Sequence, residues 1–234
     1  MERILEKTDD GSTTLFVPAL NEHYHSTKGA VTESQHIFID MGLKACAAPM
    51  PRILEIGFGT GLNALLTLRE AEKLQRPVHY TGIELYPLSW ETVEKLEYHQ
   101  NQPPLCINGR QVELGALFEK MHSTPWNEDC LISPNFTLCK QQKDITCLGE
   151  LEQLRADVIY FDAFAPEKQP EIWSQELFNK LFERISPEGI LTTYCAKGVV
   201  RRMLQTAGFI VERLPGPPGG KREILRAQKK ENNN

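Results

Sequence analysis

Seven residues, Glu55-Ile-Gly-Phe-Gly-Thr-Gly61, follow the apolar pair Ile53-Leu54 and precede Leu62-Asn63-Ala64-Leu65-Leu66. A strand, a glycine turn and the start of a helix are compressed into one short stretch. Glycines at 57, 59 and 61 let the backbone turn sharply and approach a ligand without interference from a Cβ atom. The helix that follows offers unpaired amides to a polar or anionic group. An adenosine-type cofactor suits this arrangement; the competing reading is a tight turn with a purely structural purpose.

The chain has 234 residues, enough for one sizeable core or a core with a small appendage. It contains no apolar run near the roughly 20 residues that a membrane helix needs. Its start, Met1-Glu2-Arg3-Ile4-Leu5-Glu6-Lys7, lacks an apolar signal core, so a cytoplasmic location is expected. The six cysteines form no Cys-x-x-Cys pair and have no histidines at zinc-finger spacing, which argues for free thiols and no metal. The net charge of −5 argues against a general nucleic-acid binder. Its distribution is uneven: beyond Ile190, nine Lys and Arg residues face three acids. An acidic body with a basic end suits an anionic polymer docking on one face, though solvated surface charge reads the same way.

Segments 1–48 and 49–234 differ in pattern. The first contains a hairpin within 1–18, turning at Asp9-Asp10-Gly11-Ser12, and a polar lead-in in which Thr32 caps a helix running toward Lys44. The second alternates strands and helices. Strands are predicted at 52–57, 78–84, 136–141, 156–161, 189–194, 209–214 and 222–228. Helices are predicted at 61–75, at 87–97 with Pro87 in its first turn, at 113–121, 174–185 and 197–206. Residues 98–134 read as an irregular insertion, and Asn232-Asn233-Asn234 as a disordered end. Such alternation predicts one open, mostly parallel α/β sheet closed by an antiparallel C-terminal hairpin, with ligands bound beyond the carboxyl ends of its strands.

Glu84 ends the second of these strands, where a carboxylate accepts from vicinal ribose hydroxyls. Asp162 ends the buried run Val158-Ile-Tyr-Phe161, at the mouth of the cofactor crevice. It is placed to orient an acceptor amine or to take its proton; capping the next turn is the alternative. Phe164 offers an aromatic face nearby. The dinucleotide fingerprint needs its third glycine at position 62, which is Leu. The glycine spacing and leading Glu55 instead resemble the first motif of class I S-adenosylmethionine-dependent methyltransferases, with a Rossmann-like fold. That resemblance implies that Glu55, Gly57, Phe58, Gly59, Thr60, Gly61 and Asn63 serve the cofactor. It implies too that Asp144, after the third strand, bonds the adenine amino group, although any loop acid looks alike in sequence.

Asp162-Ala-Phe-Ala-Pro166, Pro170-Glu-Ile-Trp173 and Leu177-Phe178 together resemble the signature of the MnmD methyltransferase family, found also as the amino-terminal domain of bifunctional MnmC proteins. Val200-Arg201-Arg202, the Gly216–Arg226 close, Tyr24-His25-Ser26 and Thr32-Glu33-Ser34-Gln35 match further, so the likeness runs from about residue 20 to 228. It implies transfer of a methyl group from S-adenosyl-L-methionine to the amine of 5-aminomethyl-2-thiouridine at tRNA wobble position 34, with Asp162 at the reacting centre. The anticodon loop of tRNA is then the expected partner. Tyr24, Glu33 and Phe164 are expected near the acceptor, while Trp173 reads better as core. Lys197, Arg201, Arg202, Lys221 and Arg222 are expected to meet phosphates. No flavin-binding domain is expected in this chain. Two other readings stand beside this one: a polyamine-type amine alkyltransferase, and a non-catalytic module on the same fold.

Overall fold

The computed structural model describes residues 2–100, 102–151 and 153–230; the Asn232–Asn234 end lies outside them. The chain opens with β1 (Ile4–Lys7), β2 (Thr13–Val17) and β3 (Glu22–His23), an antiparallel sheet of its own. The first helix, α1 (Ala30–Ser34), begins at Gly29 and continues as a π-helical turn, Gln35–Asp40. Thr32 is therefore inside the helix, not its cap. Asp10 from the β1–β2 turn takes the capping role instead: its carboxylate accepts from the Thr32 amide at 3.0 Å and hydroxyl at 2.8 Å. This ties the hairpin to the helix. With help from Ser12 and Thr8, these donors outweigh burial and hold Asp10 down at about 2.

The large sheet begins with β4 (Arg52–Ile56), followed by α2 (Leu62–Leu74) and β5 (Val78–Glu84). The segment expected as one helix over 87–97 is broken: α3 (Trp90–Val93) starts only after the extended Ser89, and a 3-10 turn to Leu96 ends at Glu97 with φ 54°. The segment read as irregular, 98–134, includes regular elements among its described residues. It contains β6 (Leu105–Ile107) and β7 (Arg110–Val112), a hairpin on Asn108-Gly109, both at positive φ as a tight Asn-Gly turn requires. Then come α4 (Leu114–Ser123) and β8 (Asp129–Ser133), which pairs antiparallel with β9 (Phe136–Gln142). The chain continues through β10 (Ala156–Phe161), α5 (Gln175–Arg184), β11 (Ile185–Thr193), α6 (Gly198–Ala207), β12 (Ile210–Pro215) and β13 (Glu223–Gln228).

The eight strands lie in the order β12-β13-β11-β10-β4-β5-β9-β8. From β9 to β11 all neighbours are parallel, and β13 is antiparallel to both its neighbours. The core alternates across the sheet with the two-residue period of a strand. Ile53, Val158 and Tyr160 pack on one face with α2 and α4, whereas Leu54, Ile159 and Phe161 pack on the other against α5 and α6. Both faces are covered, which explains the unbroken apolar run in β10. The chain winds outward in opposite directions from β4 and β10, so the connections that leave their carboxyl ends diverge and open a crevice there.

Candidate active site

The glycine turn leaves β4 at Gly57 and enters α2 at Gly61. Gly57, Gly59 and Gly61 have φ of 89°, 48° and 74°, values that side chains with a Cβ rarely adopt. A Cβ on Gly57 would stand 2.4 Å from the Asp162 carbonyl oxygen, so β4 and β10 touch here through backbone alone. The Phe58 ring turns down beneath the turn, against Gly82 and among Trp126 and His122. It is a buried peg beneath the loop, and the residue also lines the cavity. The Thr60 hydroxyl is buried too, 2.8 Å from His25 Nε2 and 3.5 Å from the Tyr98 hydroxyl.

The carboxylates expected at the strand ends line one cavity of about 890 Å³. Glu84 accepts from the Gly59 amide and from the Tyr86 amide, both at 2.9 Å, which locks it against the glycine turn. Asp144 bends back to accept from the Thr146 amide and hydroxyl, leaving its second oxygen beside the cavity. At the crevice itself, the Asn63 side-chain amide donates to Glu55 Oε1 and Asp162 Oδ2, each at 2.8 Å. Glu55 is fully enclosed, and desolvation, reinforced by the charge of Asp162, pushes it far above the ordinary carboxyl range. Desolvation also lifts Asp162, to about 7, with Asn63 and Lys221 pulling it down and Glu33 pushing it up.

The opposite wall comes from the N-terminal segment and the β12–β13 turn. Tyr24 stands edge-on to Phe164 at 5.1 Å and close above Gly59. The Trp173 indole donates to the Phe164 carbonyl at 2.8 Å and is itself buried, so it fixes Phe164 from within the core. Glu33 is buried, accepts from the Ser26 amide and pairs with Lys221. Lys221 thus lines the cavity while keeping a side chain 43% exposed. Lys197, Arg201, Arg202 and Arg222 do not line the cavity. Lys197 pairs with Glu167 at its rim, while Arg202 and Arg222 are exposed. Among the cavity residues to which the sequence reading gave no role, Tyr194 directly follows β11, a place at a strand's carboxyl end that would have flagged it. Among the described residues, no group of three or more His, Cys, Asp or Glu side chains is placed to hold a metal ion. No helix among them is long and apolar enough to cross a membrane.

Residues 134–230 match the model of a family described as S-adenosyl-L-methionine-dependent methyltransferase. The chain is 31% identical to the tRNA 5-methylaminomethyl-2-thiouridine biosynthesis bifunctional protein MnmC of Cupriavidus metallidurans, over 97% of this chain and 35% of that protein. It spans about a third of the length of the curated relatives it matches. The crystal structure of MNMC2 from Aquifex aeolicus superposes with a TM-score of 0.75 at 28% identity, covering 97% of this chain and 70% of that one. Spermidine synthase from Thermotoga maritima, at 11% identity and a TM-score of 0.56, shares the fold alone. The fold is that of the class I S-adenosylmethionine-dependent methyltransferases.

Proposed function

We infer, from the premise that this chain belongs to the S-adenosyl-L-methionine-dependent methyltransferase family, that it methylates the primary amine of 5-aminomethyl-2-thiouridine at wobble position 34 of tRNA. The observation that carries this reading is Asp162: a carboxyl directly after β10, tethered by Asn63 in the cavity wall beside the glycine turn and lifted by burial to about 7. The names of the relatives supply the nucleoside, and the site supplies the chemistry.

The cavity fits the cofactor on its own terms. A Cβ at Gly59 would crowd the Tyr24 ring at 3.2 Å, so the turn keeps an open, backbone-lined cradle. Glu84 and Asp144 are acceptor-only groups suited to ribose hydroxyls and an adenine amino group. Glu22, Glu33 and Glu171 add negative charge on the walls, in keeping with a sulfonium and an ammonium as guests. When bound, S-adenosyl-L-methionine supplies a methyl group already activated by positively charged sulfur. The chain then has to align the amine and see that it loses its proton.

Asp162 serves both needs. Its carboxylate orients the acceptor ammonium through a charge-assisted hydrogen bond. At about 7 its affinity for a proton is far closer to that of an alkylamine than an ordinary carboxylate's, which eases transfer at neutral pH. A wobble base splayed out of the anticodon loop would meet the Tyr24 and Phe164 rings at the mouth. Arg202 and Arg222 lie outside the cavity, available to the polyanionic backbone.

Purified protein given S-adenosyl-L-methionine and tRNA bearing 5-aminomethyl-2-thiouridine should yield a nucleoside heavier by one methyl group. Cells lacking the gene should accumulate the unmethylated amine. Methyl transfer to free spermidine in place of tRNA would sink this reading and favour a polyamine-type enzyme.

A further inference from the structure

Lys221 already fills the place where an acceptor amine would be received. Its ammonium lies 3.8 Å from the centroid of the Tyr194 ring and 3.2 Å from Glu33 Oε1. Both partners are fixed. The Tyr194 hydroxyl donates at 2.8 Å to the carbonyl of Ala163, the residue after Asp162. Glu33 is held by the Ser26 amide at 3.0 Å and is only 8% exposed. The charges of Lys221 and Glu33 both act on Asp162, in opposite senses. An aromatic face and the Glu33 carboxylate thus hold one primary ammonium in the cavity that Asp162 also lines.

The chemistry of that occupant is informative. A lysine side chain ends in a methylene bearing a primary ammonium, the same group that an aminomethyl acceptor carries. Cation–π contact and a carboxylate recognise this group whatever molecule bears it. Two ammonium groups about 4 Å apart repel by roughly 1–4 kcal/mol between water-like and surface-like dielectric conditions, so the corner holds one at a time. Lys221 is also free to leave. It follows the Gly219-Gly220 pair of the β12–β13 connection, Gly219 has φ 72°, and its side chain is 43% exposed.

We propose that the corner formed by Tyr194 and Glu33 beside Asp162 is the subsite for the acceptor's primary ammonium, and that Lys221 is an internal stand-in which the substrate displaces. This rests on the amine-methylating reading above and adds Tyr194 as the residue that selects a cationic acceptor.

The decisive measurement is the resonance of the Lys221 ε-methylene, identified by its loss in Lys221→Met, with S-adenosylhomocysteine present. Stacking on Tyr194 should shift it upfield by the ring current. Saturation with the nucleoside 5-aminomethyluridine should return it to the solvent value, whereas neutral 5-hydroxymethyluridine should leave it shifted. Tyr194→Leu should weaken binding of the aminomethyl nucleoside by about 3- to 30-fold, the range spanned by cation–π contacts, and Tyr194→Phe should retain most of it. A shift that persists with the aminomethyl nucleoside bound overturns the proposal. So does undiminished binding by Tyr194→Leu, or failure of the aminomethyl nucleoside to bind the unaltered protein. Methylated tRNA together with a persistent shift would remove this inference alone. Displacement without any tRNA methylation would uphold the subsite and remove the RNA substrate.

Discussion

Asn63 donates its side-chain amide to Asp162 across 2.8 Å, from the first turn of α2 to the end of β10. The same nitrogen reaches buried Glu55, so one amide holds apart two carboxyls that would otherwise repel. Its donation favours the ionised form of Asp162 and lowers a pKa that burial has raised. Asn63→Ala should therefore move Asp162 upward. Since the ionised form receives the amine, the acidic limb of the kcat/KM profile should shift to higher pH, by about one unit, with activity partly recovered in alkaline buffer. A profile that is lower but unshifted would show that Asn63 does not tune Asp162.

Asp162 itself separates stability from turnover. Its pKa is about 7 in the folded chain against an ordinary 3.8. Between these values the folded state holds a proton that the unfolded state has released, so the group's contribution is intact below pH 4 and falls as pH rises through 7. Asp162→Asn removes this loss. The variant should be more stable than the parent at pH 8, by on the order of 2 kcal/mol once partial solvent access is allowed for, and equally stable near pH 4. It should also bind cofactor while losing most methyl transfer. Denaturant titrations at both pH values, with a turnover assay, check the two halves independently; near-parental turnover would end the assigned role.

Gly57 and Gly11 offer a matched contrast. Both have φ above +80°, but a Cβ on Gly11 meets nothing within 4 Å, whereas one on Gly57 collides with the Asp162 carbonyl at 2.4 Å. Gly11→Ala should cost only the backbone strain, about 1–2 kcal/mol. Gly57→Ala adds an overpacking term of about 1–3 kcal/mol and forces β4 and β10 apart. It should also abolish cofactor binding, readable by calorimetry. Equal destabilisation of the two variants would mean that the strand ends do not depend on this contact.

Much of the fold was legible because its signals are local. The apolar run at Val158–Phe161, the glycine turn and the strand–helix alternation each rest on residues close in sequence, and seven strands of the eight-stranded sheet follow from them, the edge strand β8 falling in the segment read as irregular. Some features escape the sequence because a distant residue decides the outcome. Thr32 looks like a helix cap, but Asp10, 22 residues away, takes that position. Lys221, an exposed cation in sequence and structure alike, gains its partners Glu33 and Tyr194 only when the fold brings them across from it. Asn108-Gly109 is a different case, a local hairpin signal overlooked in a region crowded with prolines. Topology alone puts Glu84 and Asp162 at the carboxyl ends of their strands, where both line the cavity, but their hydrogen-bond partners, and the burial that lifts Asp162, arise from packing that no spacing rule encodes.

His25 should leave a mark on acid stability. Burial depresses it to about 4, with the charge of Lys221 acting in the same direction and Glu33 opposing. Unfolded, it titrates near 6.5. Between these values the unfolded chain binds a proton that the folded chain refuses, so stability falls as pH drops from 6.5 to 4. His25→Gln retains a polar partner for Thr60 without the charge change. Its stability should decline less over this window, by up to about 1.4 kcal/mol per pH unit for the single proton. Parallel stability curves for variant and parent would show that His25 is not held neutral.

The basic residues outside the cavity should differ in their effect on RNA binding, because their surroundings differ. Arg202 and Arg222 are exposed on α6 and at the foot of the β12–β13 turn, whereas Lys197 is already paired with Glu167. A cation free to neutralise a phosphate releases a condensed counterion, and its removal lowers the salt slope of binding by about one. One that must first leave a carboxylate contributes less, since Glu167 remains beside the RNA. Arg202→Ala and Arg222→Ala should each flatten the dependence of log Kd on log salt, and Lys197→Ala should do so less. Binding isotherms for tRNA at several salt concentrations give the three slopes. If none differs from the parent's, the anticodon arm approaches over another face.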